Sequence, residues 1–173
     1  LQENKNYFPK LEDFANKVFE KVQKNNRTRY IALCDYLKSE YGIKVKDVML
    51  PISKVPRVES DAILKDALEK MSMYKLGIAC VVDKQNKFIG LITDGDIRRI
   101  LLSVQKPLSA LFMEDILDHI SKSPTYIYPE LSINEATKLI GEKSVWDLPV
   151  VSSDMSLLGL FHLHKALEYY LES

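Results

Sequence analysis

Residues 88–101 read FIGLITDGDIRRIL, and residues 157–171 read LLGLFHLHKALEYYL. Gly90-Leu91 in the first stretch corresponds to Gly159-Leu160 in the second. Working outward, Val81-Val82 corresponds to Val150-Val151, and Ala67 to Ala136; in every pair the two members stand 69 positions apart. A constant offset across separate signals marks one supersecondary unit used twice. Two copies are too few to stack as a solenoid. They are expected to pack face to face about a pseudo-twofold axis, with function in the cleft where they meet.

Each copy reads in the same order. A short strand, Val55 to Val58, is matched by Thr125 to Tyr128. A helix from Asp61 to about Tyr74 is matched by Ser132 to about Lys143, where Ser132 and Glu135 have the spacing of a capping box. Two apolar strands follow, 78–82 and 88–92, matched by 148–151 and 157–161. The segments between them are polar and turn-like. A closing helix carries Ile97, Ile100 and Leu101, matched by Ala166, Tyr169 and Tyr170. Strands this apolar predict helices covering at least one face. The fold class is therefore α+β, with tandem β-α-β-β-α units.

Residues 1–44 fall outside the repeat. Leu11, Phe14, Ala15, Val18, Phe19 and Val22 keep helical spacing, as do Tyr30, Cys34, Leu37 and Tyr41 after a break at Asn25-Asn26. The pattern predicts a helical hairpin that packs onto the rest of the chain; a dimerisation surface is the alternative. The expected divisions are 1–44 (hairpin), 45–108 (first repeat) and 109–173 (second repeat). The chain opens on Leu1, which fits an excised piece of something longer.

Composition narrows the partners. The 173 residues are 46% hydrophobic and 28% charged, an ordinary globular balance. Lys plus Arg number 24, as do Asp plus Glu, so no basic field exists to hold a nucleic acid. Cys34 and Cys80 lie far apart in apolar surroundings and read as buried thiols of a reducing compartment, the cytoplasm. No apolar run reaches the length of a membrane span, and no signal peptide opens the sequence.

The short helix Val45-Lys46-Asp47-Val48-Met49, the β-α-β-β-α unit closing on Gly90-Leu91-Ile92-Thr93-Asp94-Gly95-Asp96, and the duplication resemble a CBS-domain pair, or Bateman module, over about residues 45–171. Within that family, LITDGDIRR and GLFHLHKAL are similar to the C-terminal CBS pair of bacterial D-arabinose-5-phosphate isomerases. In those enzymes an upstream isomerase domain supplies the catalytic groups; residues 1–44 are too short for it and hold no glycine-rich phosphate loop.

Thr93-Asp94-Gly95-Asp96 stands where a strand ends and a helix begins. Free N–H groups and the positive end of the helix dipole gather there, which suits an anion. Thr93 offers a hydroxyl, Asp96 a carboxylate for a sugar diol, and Gly95 a close backbone approach. Arg98 and Arg99 follow within one turn and suit phosphate. The bland alternative has Asp94 capping the helix and both arginines solvated. The resemblance implies that Thr93 and Asp96 hold a nucleotide ribose and phosphate, and that Val55, Pro56, Ile78 and Ala79 line an apolar base pocket. The second copy departs from the pattern: His162 replaces Thr93, Lys165 replaces Asp96, and Trp146 replaces Gly77. Lys has no acceptor for a ribose diol. That half-site is altered toward phosphate or acid, or lost, with Trp146 as a plug or stacking surface. His162 and His164 lack the further ligands of a metal site, and His119 lies outside both motifs.

Two functions compete. One is a regulatory, allosteric module that binds a nucleotide and passes occupancy to an attached or partner enzyme. The family implies adenine nucleotides (AMP, ATP, S-adenosylmethionine); the isomerase resemblance adds the cytidine sugar nucleotide CMP-Kdo. The other is a ligand-free scaffold, since CBS pairs associate into flat homodimers. Catalysis by this chain is not expected, because no nucleophile–base pair or metal set stands in the motifs.

Overall fold

A computed structural model describes residues 42–103, 105–121 and 123–162. The expected N-terminal hairpin, the second closing helix, His164 and Lys165 lie outside the described residues. In chain order the elements are α1 (Val45–Val48), β1 (Leu50–Pro51), β2 (Arg57–Glu59), α2 (Leu64–Tyr74), β3 (Ile78–Val82), β4 (Phe88–Thr93), α3 (Asp94–Ser103), α4 (Leu108–Phe112), α5 (Ile133–Lys143), β5 (Asp147–Val151) and β6 (Leu157–His162). They form an α+β fold with two three-stranded sheets, ordered β2-β3-β4 and β1-β6-β5. No helix among the described residues is long and apolar enough to cross a membrane.

The repeat is visible bond by bond. The Phe88 N–H donates to the Met155 carbonyl at 2.8 Å, and the Leu157 N–H donates to the Asn86 carbonyl at 3.0 Å. Moving every residue by the repeat offset turns the first bond into the second. The two β-hairpin turns thus meet on the pseudo-twofold, where Lys87 also pairs with Asp154. Left-handed backbone recurs at the same offset: Lys75 and Ser144 (φ 55° each) end α2 and α5, and Asn86 and Met155 (φ 63° and 66°) sit in the turns.

The strands read as fully apolar because they are covered on both faces. Ala79 and Val81 of β3 join Leu64, Ala67 and Met71 of α2 in the core of the first repeat. Ile78, Cys80 and Val82 point the other way and meet Leu157 and Leu160 of β6 in a layer shared by both repeats. Val45 and Val48 of α1 complete the core of the second repeat with α5 and β5.

The leading segments are exchanged. β1 runs antiparallel to β6, pairing Leu50 with Leu160 and Pro51 with Gly159. Ser121, leading into the second repeat, bridges to Leu91 on the sheet of the first. Both glycines of the repeated Gly-Leu lie under these crossings. A Cβ on Gly159 would stand 2.4 Å from the Leu50 carbonyl oxygen; one on Gly90 would stand 2.8 Å from that of Ser121.

Three elements differ from the sequence reading by more than one residue. The strand expected at 55–58 is Arg57–Glu59: Val55 closes a 3-10 turn by donating to the Ile52 carbonyl, and Pro56 has no N–H to give a ladder. Its counterpart at 125–128 reduces to one parallel bridge, Ile127 to Val150, within a segment bounded by Pro124 and Pro129. The first helix begins at Leu64, not Asp61, because the Asp66 carboxylate accepts the Ile63 N–H (3.0 Å) and ends the helix there. The second helix starts as read: Ser132 and Glu135 exchange N–H bonds at 3.1 and 3.3 Å.

Gly159→Ala is expected to lower stability by about 2 kcal/mol or more, since backbone cannot yield like a side chain. Gly141→Ala, in α5 with nothing within 4 Å of the new methyl, is expected to raise it by about 0.5–1 kcal/mol. Urea unfolding of both variants checks the pair.

Candidate functional site

α3 starts directly after β4, and Thr93 is its cap. The Thr93 hydroxyl accepts the Asp96 N–H at 3.2 Å. Oδ2 of Asp96 accepts both the Thr93 N–H (2.8 Å) and the Thr93 hydroxyl (2.6 Å). This is a capping box. Arg99, one turn later, pairs with Oδ1 of the same carboxylate. Asp94 is engaged elsewhere. Its N–H donates to the Gly77 carbonyl at 3.0 Å, and its carboxylate lies over Gly77, where a Cβ would come within 2.7 Å of Oδ2. The helix is therefore capped by Thr93 and Asp96, not by Asp94 as in the bland alternative. A Cβ on Gly95 would make only ordinary contacts, 3.5 Å to Thr93 Oγ1 and 3.6 Å to Arg99. No positive φ requires glycine there; its small size keeps the first turn open.

The open side faces a cleft of about 820 Å³ built by both repeats. That volume falls in the range of small-molecule sites. The first repeat contributes Ile78, Thr93, Asp94, Gly95, Asp96 and Arg98, all singled out in the sequence, together with Gly77. The second contributes Trp146, Asp147 and His162, with Lys143 at the end of α5. Ser123, Pro124 and Thr125 of the connecting segment close one side. Val55, Pro56 and Ala79 do not reach the cleft. They are buried, Val55 in the layer between repeats and Ala79 against α2, and the Pro56 carbonyl is taken by the Cys80 N–H at 2.9 Å.

Sequence reasoning missed Asp147, Pro124 and Thr125. The signal for Asp147 was available, because the repeat offset aligns it with Ile78 at the start of an apolar strand, where a carboxylate is out of place. Asp147 holds His162: Oδ1 lies 2.6 Å from Nδ1. The thiol of Cys80 is buried and unpaired. Burial first, then the nearby Asp147 carboxylate, push its pKa up, so it stays protonated and inert. His119 bonds Glu114 at 2.9 Å, away from the cleft. Among the described residues no group of His, Cys, Asp or Glu is arranged to hold a metal ion.

Two repeats related by the pseudo-twofold, with a polar cleft lined by residues of both, define a paired-repeat module. The CBS domain model matches residues 45–103 and 113–172, and the chain belongs to the CBS domain family. An uncharacterized protein of Rickettsia prowazekii is 30% identical over 124 residues, covering 72% of this chain and 37% of that protein. Arabinose 5-phosphate isomerase KdsD of Yersinia pestis is 28% identical over 126 residues, with the same coverage of each. The chain thus spans little more than a third of the length of these relatives. Among solved structures, CBSX2 in complex with AMP superposes with a TM-score of 0.65 at 25% identity, covering 76% of this chain and 98% of that one.

The capping box makes a direct prediction. Asp96→Ala removes two acceptors at the start of α3 and is expected to cost about 1 kcal/mol in the ligand-free protein. Asp94→Ala is expected to stay within about 0.5 kcal/mol of the parent. Equilibrium denaturation without ligand distinguishes the two.

Proposed function

We propose that this chain is a ligand-sensing regulatory module that holds one nucleotide-type ligand in the cleft between its repeats. The observation that carries this reading is the placement of the α3 N-terminus, with Thr93, Asp96 and Arg98, on one wall of a cleft whose other wall belongs to the second repeat. An anionic group meets the helix dipole and Arg98. Oδ1 of Asp96 bonds only Arg99 among the described residues and has a lone pair left for a sugar hydroxyl. Ile78, Pro124 and Thr125 flank the base, in place of Val55, Pro56 and Ala79. A ligand touching both walls binds best at one relative placement of the repeats, so occupancy shifts that placement and whatever is attached to it.

AMP in CBSX2 supports an adenine nucleotide. Similarity to the KdsD isomerases supports a sugar-phosphate enzyme as parent or partner, with a cytidine sugar nucleotide such as CMP-Kdo as the competing ligand. In either case the chemistry of the parent lies outside this chain. We also propose a homodimer. Exposed Leu101 and Leu102 of α3 and Leu108 of α4, with Leu102 83% exposed, offer apolar helix surface to a second copy.

Thermal unfolding across AMP, ATP, S-adenosylmethionine and CMP-Kdo tests the ligand. At about 100 times the dissociation constant, the true ligand adds about 2.7 kcal/mol, a rise of roughly 5–10 °C in Tm for this size. Arg98→Ala is expected to reduce that rise while leaving the ligand-free Tm unchanged, since no ion pair holds Arg98 among the described residues. If no nucleotide moves the melt at millimolar concentration, the scaffold reading replaces this one. Light scattering tests the dimer: Leu102→Asp is expected to shift the mass toward one chain.

A further inference from the structure

The two halves of the cleft differ at one pair of facing strand positions. β3 and β4 bring Ile78 opposite Thr93, and β5 and β6 bring Asp147 opposite His162. The repeat offset superimposes one pair on the other. An apolar residue facing a hydroxyl has thus become a carboxylate facing an imidazole. The pair is largely enclosed, with 14% of the Asp147 side chain and 21% of that of His162 exposed. Two polar residues at the mouth of an otherwise apolar ladder weaken its packing unless they bond each other, and they do so at 2.6 Å.

The bond has a chemical consequence. An ionised carboxylate only accepts hydrogen bonds. In a neutral imidazole, bonding to Asp147 therefore fixes the proton on Nδ1. Nε2 is then a bare acceptor, and among the described residues nothing donates to it. His162 lines the same cleft as Thr93 and Asp94.

We propose that Asp147 is a positioning residue that holds His162 as the Nδ1–H tautomer, and that Nε2 accepts a hydrogen bond from a donor on the bound ligand, a sugar hydroxyl or a base N–H. The inference rests on the nucleotide reading above and assigns the second half of the cleft a share in recognition. Its effect is selectivity. A site with a fixed buried acceptor discriminates against analogues that lack the donor, because the acceptor is then left unpaired. At the equivalent position the first repeat carries the Thr93 hydroxyl, already bonded to Asp96, so ligand orientation in the cleft is set by the difference between its halves.

The test uses wild type, Asp147→Ile, His162→Thr and the double variant; each substitution installs the residue that the first repeat carries at the equivalent position. Long-range proton–nitrogen NMR on histidine-labelled protein reads the tautomer, and calorimetry with AMP and with CMP reads affinity. The wild-type spectrum is expected to place the His162 proton on Nδ1, and Asp147→Ile to move it off. Each single variant is expected to weaken the nucleotide that binds by about tenfold, and the double variant no further, because Asp147 acts through His162. Asp147→Asn, of the same shape, is expected to mix the tautomers and serves if Asp147→Ile fails to fold. A wild-type proton on Nε2, full affinity in Asp147→Ile, or single losses that multiply in the double variant overturns the inference while leaving the nucleotide reading intact. If neither AMP nor CMP binds wild type, the same calorimetry with ATP, S-adenosylmethionine and CMP-Kdo replaces them; if none of these binds, the ligand half of the inference falls together with that reading, and the tautomer spectrum still decides the pairing.

Discussion

The structure depends on two close backbone crossings. β1 passes over Gly159, and the segment at Ser121 passes over Gly90, with carbonyl oxygens where a side chain would have to be. Each crossing ties the leading segment of one repeat to the sheet of the other. Neither sheet is then complete on its own, and the apolar layer of Ile78, Cys80, Val82, Leu157 and Leu160 is buried only when both are present. Burial at about 25 cal/mol per Å² rewards that arrangement. The exchanged segments fix its register, because a slip by one residue would reverse every strand face.

The same crossings build the cleft. Pairing the hairpin turns at Asn86 and Met155 sets the sheets about the pseudo-twofold. The end of β4, the start of α3 and the facing ends of β5 and β6 are thereby turned toward one space. Thr93 and Asp96 serve twice in that space. They satisfy the free N–H groups at the start of α3, and they stand on the wall a ligand would touch. A variant at either residue changes stability and binding together, which makes Arg98 the cleaner probe of the ligand.

Much of the fold was legible in the sequence. The offset between Gly90 and Gly159 predicted two units, and the apolar runs predicted β3 and β5 closely, because a strand buried on both faces leaves a continuous pattern. The capping box at Ser132 was legible because its partners lie three residues apart. The bounds of the short strand before each first helix were not, since so few ladder positions leave no period to read. Nor was the identity of the α3 cap. Thr93, Asp94 and Asp96 all carry side chains that cap helices, and the choice among them rests on the carboxylate of Asp94 being drawn over Gly77.

The sequence by itself determined the duplication, the family resemblance and the position of Thr93-Asp94-Gly95-Asp96 at a strand-to-helix junction, because each is written in local spacing. The tertiary structure alone decided which of those residues share a cavity. Val55, Pro56 and Ala79 turned into the core, while Pro124 and Thr125 came to the cleft from the connecting segment. It also decided that Asp147 meets His162 across a ladder, fifteen residues apart along the chain. The physical reason is the same in both cases. Which face of a strand is buried, and what lies opposite it, depends on how the exchanged segments pair, and that pairing joins residues too distant in sequence to leave a local pattern.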